Sequence, residues 1–156
     1  MKKFYLLILA FVISLALPAQ VTLLPATGGT NISADNAANS TLPTYLSLGD
    51  ISLQEAAPGD INTDVSELVL NAPSGWQFNT SGVVVNTGTG DITIGAINYT
   101  STTITIPVTV NSQTNIDLIT ISNLSVRSND GSLLPNSGNI TLSFTGTISD
   151  SSASKN

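Results

Sequence analysis

Any chemistry in this chain would fall to its carboxylates. The 156 residues include no His and no Cys, so there is no imidazole base, thiolate nucleophile, disulfide or cysteine-ligated metal. Ten Asp and Glu stand against four Lys and Arg. Five of the acids, Asp50, Glu55, Asp60, Asp64 and Glu67, fall within 18 positions around the Pro58-Gly59-Asp60 turn. A hard cation such as calcium takes about six to eight oxygens, with carboxylates supplemented by backbone carbonyls. This window is therefore where a calcium ion would be held. Its spacing matches no EF-hand loop, so solvated loop acids are the plainer reading and no other cofactor is indicated.

Two carboxylates can also hydrolyse a glycosidic bond without His. The spacing singles out no pair for that work, and aromatic residues to line a sugar cleft make up only 5% of the chain. The chain is read as noncatalytic. Trp76, the single Trp, follows the Pro73-Ser74-Gly75 turn and shares a strand face with Phe78, which suits core packing. The sharper alternative is a sugar-stacking platform of Trp76 with Tyr45 and Tyr99, as in a carbohydrate-binding module. Leu24-Pro25-Ala26-Thr27-Gly28 matches the pattern cleaved by sortases but stands at the wrong end of the chain, so the match is coincidental. Thr103, Thr105 and Thr109 form a solvated β-face interrupted at Pro107.

These residues sit behind a leader. Met1-Lys2-Lys3 is a positive n-region, Phe4 to Leu17 an apolar h-region, and Leu17-Pro18-Ala19 a small-residue cleavage site. The apolar run is shorter than the roughly 20 residues that span a bilayer. Residues 1–19 are thus expected to be a cleaved signal peptide, leaving no membrane span and a secreted or cell-surface protein. Arg127 and Lys155 then remain against all ten acids, a net charge of −8. Such a chain has no electrostatic footprint for nucleic acid or anionic lipid.

Period-two alternation supplies the scaffold. Ile104, Ile106 and Val108 point one way and the intervening Thr residues the other; Ile140, Leu142 and Phe144 repeat the scheme. These six are the expected inner-face residues. Eight strand-like runs are legible, near 20–24, 46–55, 65–71, 76–86, 91–99, 102–110, 116–127 and 139–148, separated by Gly/Pro/Asn/Asp clusters. Three runs slip by one residue, across Gly49-Asp50, Gly95-Ala96 and Ser122-Asn123, and each slip marks a bulge or bend. Pro107 predicts an edge strand or a bulge within 102–110. Residues 26–42 read as a loop with one helical turn starting at Ser33. The expected fold is all-β: a single antiparallel β-sandwich of seven to nine strands over residues 20–149, with a disordered tail at 150–156.

Short blocks carry a resemblance: Gly29-Thr30-Asn31-Ile32-Ser33, Leu48-Gly49-Asp50-Ile51 with Glu55 and Gly59-Asp60, Leu68 to Phe78, and Asp117 to Arg127. In that order they resemble an Ig-like or cohesin-like β-sandwich module found in tandem in large exported and surface proteins of gliding-type Gram-negative bacteria. The resemblance implies structural, adhesive or protein-interaction duties, with cell-surface proteins or polysaccharides as partners and no catalysis.

Overall fold

The computed structural model describes residues 20–29, 44–129 and 138–148. The leader at 1–19, the helical turn expected at Ser33 and the tail at 150–156 lie outside them. The described residues form an all-β, antiparallel structure of twelve strands. In chain order these are Val21–Leu24 (β1), Leu46–Ser47 (β2), Ile51–Glu55 (β3), Glu67–Asn71 (β4), Trp76–Phe78 (β5) and Val84–Thr87 (β6). Ile92–Ile94 (β7), Asn98–Tyr99 (β8), Thr103–Val110 (β9), Leu118–Ser122 (β10), Ser125–Ser128 (β11) and Thr141–Thr145 (β12) follow. One sheet has the order β1-β3-β10-β6, a short one β2-β11-β5, and a third β12-β4-β9-β7, with β8 also paired to β9.

Alternation decides which residues meet. Ile51, Leu53, Ile119 and Ile121 of the first sheet and Leu68, Leu70, Ile104, Ile106 and Val108 of the third belong to one buried apolar cluster, an arrangement consistent with a β-sandwich. Burying each such side chain is worth about 1.5–3 kcal/mol. Ile140, Leu142 and Phe144 pack against the same cluster but stay partly exposed, because β12, among the described residues, pairs only with β4 at a sheet edge.

Eight runs become twelve strands because four of them break. The 46–55 and 116–127 runs break opposite each other. The pairs Leu46↔Val126 and Ser47↔Ser125 on one side of the break continue as Ile51↔Ile121 and Leu53↔Ile119 on the other, without a change of register. Leu48 N donates to Leu124 O at 2.8 Å inside the bend. Asn123 takes a left-handed φ of 59° there, a conformation Asn tolerates better than most side chains. Both strands therefore turn their buried faces over together as they pass from one sheet to the next.

The 91–99 run breaks differently. Between the pairs Ile94↔Val108 and Asn98↔Thr105, three residues (Gly95, Ala96, Ile97) oppose two (Ile106, Pro107), which is a β-bulge. Here the expectation for Pro107 needs correction: β9 is a central strand, and the bulge lies in the strand facing it. Pro107 O accepts from Gly95 N at 2.9 Å, beside the bulge. The missing N–H of Pro107 thus falls where the ladder is already interrupted. The fourth break, in 76–86, turns the inner face from Trp76 and Phe78 to Val83 and Val85, a slip concealed in the sequence by the continuous Val83-Val84-Val85 run. Asn79 Oδ1 caps Ser81 N at 3.1 Å, and Gly82 has a φ of 86°.

Candidate functional site

Polar chemistry gathers in two places, at opposite ends of the β10–β11 run. The first is a chain of acids. Glu55 closes β3 with its carboxylate buried, accepting from Ile61 N at 2.7 Å and Asp117 N at 2.8 Å. Asp60 Oδ2 accepts from Ala56 N, Ala57 N and Gln20 N at 2.9–3.0 Å, closing its own turn and fastening the start of β1. Asp117, 2% exposed, accepts from Asp91 N through Oδ1. A Cβ at position 90 would collide with that oxygen, so Gly90 is what lets the two loops close up. Asp91 in turn holds Thr114 N at 2.7 Å and Asn115 N at 2.8 Å.

The carboxylates are thus joined through backbone amides, and their protonation follows from that. Burial pushes the Glu55 carboxyl above its ordinary value against the pull of the Ile61 and Asp117 amides, helped by the negative Asp117 and Asp60 nearby. Burial also raises Asp117, opposed by the Asp91 amide. Asp91, ringed by the Asn115 and Thr114 donors, is held far below the usual carboxylate range. Asp64 is lowered by the Thr147 N–H and hydroxyl at 2.9 and 2.8 Å.

The expected calcium window is divided by this arrangement. Asp50 is exposed at the bend, Glu55 and Asp60 are buried on amides, Asp64 caps Thr147, and Glu67 opens β4 opposite Pro107 and Thr145. Among the described residues no three His, Cys, Asp or Glu side chains are gathered as a metal site would need. The acids joined to Glu55 in the chain, Asp117 and Asp91, lie outside the window. Their signal was position: each stands at the start of a strand, beside a turn of small polar residues.

The second place is the outer face of the β2-β11-β5 sheet. Arg127 pairs with Gln77 and Ser128 with Trp76 across it. Consecutive strand residues point to opposite faces, so Trp76 and Phe78 look inward while Gln77 and Arg127 look out. The Arg127 guanidinium lies 5.1 Å from the centre of the Tyr45 ring. With the Gln77 amide oxygen toward it, that oxygen accepts from Arg127 Nε and Nη2 and from the Tyr45 hydroxyl at 3.3 Å. The Gln77 NH2 then donates to Asn129 Oδ1 at 2.8 Å. Arg127 is the one basic residue among the described residues, and no carboxylate there pairs with it.

The three aromatics do not converge. Tyr45 lies with Gln77 on the outer face, and Trp76 packs against the core from the inner face, its indole N–H buried without a partner among the described residues. Tyr99, 37% exposed, sits on β8 beside β9 of the third sheet. Compared with known proteins, the chain matches no family model, no curated protein and no solved structure. Among the described residues, no helix is long and apolar enough to cross a membrane.

Proposed function

We propose that the protein is a noncatalytic, exported β-sandwich module of Ig-like or cohesin-like type, with structural, adhesive or protein-interaction duty at the bacterial cell surface or in the extracellular space. The observation that carries this reading is the role of its buried acids. Glu55, Asp60 and Asp117 direct their oxygens at backbone amides of neighbouring loops, which is how a scaffold fixes its shape. The sequence blocks that resemble surface-protein modules support it as well. Partners of this reading are cell-surface proteins or polysaccharides, and it has no place for nucleic acid or a resident cofactor.

A carbohydrate-binding module built on Trp76, Tyr45 and Tyr99 is the alternative. The opposite facing of Tyr45 and Trp76 counts against that platform. The test is to immobilise the leaderless protein and measure its retention of the producing cell's surface fraction beside a glycan array. Retention without hydrolysis of any glycan is the expected result. Release of sugar from the array would overturn the noncatalytic assignment, and a glycan response abolished by Trp76→Ala at unchanged stability would promote the alternative.

A further inference from the structure

We propose that Arg127 is a carboxylate receptor on the outer face of the β2-β11-β5 sheet, and that its ligand is a uronic acid unit of an acidic polysaccharide. The inference rests on the adhesive reading above and gives it a ligand class. In a chain with ten acids, an arginine without a carboxylate partner among the described residues is itself notable. It is also held in place. Gln77 Oε1 grips Nε and Nη2, Asn129 Oδ1 fixes the Gln77 amide, and the Asn129 N–H donates to Gly75 O at 2.8 Å. The Tyr45 ring flanks the guanidinium.

A guanidinium binds a carboxylate best through two parallel N–H donors. Here Gln77 occupies one side of the fork, and no contact among the described residues engages Nη1. The side that remains can meet an incoming carboxylate, with much of the ordering entropy of the side chain already lost in the free protein. The net negative charge does not forbid this. The described acid nearest to Arg127 along the paired strands is Asp50 at the bend, five residues from Tyr45 and on the order of 17 Å of extended chain away. That exceeds the screening length of about 8 Å at physiological salt.

A sugar acid suits the surroundings better than a peptide. Tyr45, Arg127 and Gln77 form a row across three antiparallel segments, spanning about 10 Å at the usual strand spacing. The row presents planar polar edges, namely a hydroxyl, a guanidinium and two amides counting Asn129, which match ring hydroxyls beside a carboxylate.

The experiment titrates the leaderless protein with an oligomer of galacturonic acid, with its methyl ester and with an acidic peptide, by calorimetry and by tyrosine emission. Arg127→Gln and Arg127→Lys are measured alongside, with melting curves to establish that each is folded. The oligomer is expected to bind and the ester not. Arg127→Gln should weaken binding by about tenfold, the worth of a charged hydrogen bond, and Arg127→Lys should fall between because it keeps charge without the fork. Equal binding by folded Arg127→Gln, equal binding of the ester, preference for the peptide, or no binding by the wild type would each overturn the proposal. Surface-fraction retention by a protein that ignores uronate would sink this ligand and leave the adhesive reading standing; the reverse result would sink the adhesive reading alone.

Discussion

The acid end and the arginine end of the β10–β11 run use charge in opposite ways. At the acid end, Glu55, Asp60 and Asp117 are buried and turned inward on backbone amides of the loops packed around them. At the other end, Arg127 is half-buried, held by neutral groups among the described residues, and faces outward. A buried charge with amide donors fixes the fold, because removing it strands those donors away from water. A charge positioned by neutral groups at the surface contributes little to the fold and remains free to act on something else. Charge type alone says nothing of this difference; the identity of the partners does.

Substitution should expose the contrast most sharply. Glu55→Ala removes the acceptor of two backbone N–H groups and is expected to lower stability by about 2–5 kcal/mol. Arg127→Ala, which loses the Tyr45 ring contact and the half-buried hydrogen bonds to Gln77 but strands no backbone N–H, should cost about 1–2 kcal/mol. Urea unfolding of the two variants measures both, and equal losses would erase the distinction between the ends.

Trp76→Ala comes next, at about 2–4 kcal/mol, through the cavity left by a side chain that packs on the core from the inner face. The wild-type emission should be blue-shifted. A red-shifted emission that moves on adding a neutral oligosaccharide would return Trp76 to the binding face.

The pH response should also belong to the acid end. Glu55 and Asp117 are raised in the fold, so the stability linked to them is complete below their unfolded values, 4.5 for Glu55, and is lost as pH rises through their folded values. Asp64 and Asp91 are lowered, so their contribution is lost in the other direction, as pH falls through their folded values. The melting temperature should therefore fall as pH rises above the ordinary carboxylate range, and fall again in strong acid. Glu55→Gln should flatten the upper limb even though its amide nitrogen opposes a backbone N–H and lowers stability throughout. An unchanged upper limb would assign that limb to other groups.

The smallest effect is expected from calcium. A ligand that binds only the folded state raises stability in proportion to RT ln(1 + [L]/Kd). With Glu55 and Asp60 turned onto amides and Asp64 onto Thr147, melting curves in millimolar calcium and in EDTA should coincide. A rise with calcium would mean that the acids can exchange amides for a cation.

Sequence periodicity made the core legible. Ile104, Ile106 and Val108 are buried as their alternation requires, and the three slips mark two bends and a bulge. What it could not reveal was which strand carried the distortion near Pro107, because a missing N–H can be accommodated by either partner. The 76–86 break was hidden because Val83-Val84-Val85 offers an apolar side chain to either face, while Asn79 and Gly82 act through backbone conformation. The acid chain was half visible. Clustering in sequence drew attention to positions 50–67, whereas the contacts of Glu55 with Asp117, and of Asp117 with Asp91, are made between loops 62 and 26 residues apart. Tyr45 was noticed as an aromatic, but its neighbours Arg127 and Gln77 come from other strands, and no spacing in the sequence connects them.

The matched bends at Gly49-Asp50 and Ser122-Asn123 couple the lengths of two distant segments. Register is the same on both sides of the bend, so a residue deleted from one strand alone would put every later pair out of step and turn buried side chains toward water. A compensating deletion in the other strand would restore the pairing. Residues 49–50 and 122–123 are thus bound to change length together: an insertion that a surface loop would tolerate is permitted here only in pairs.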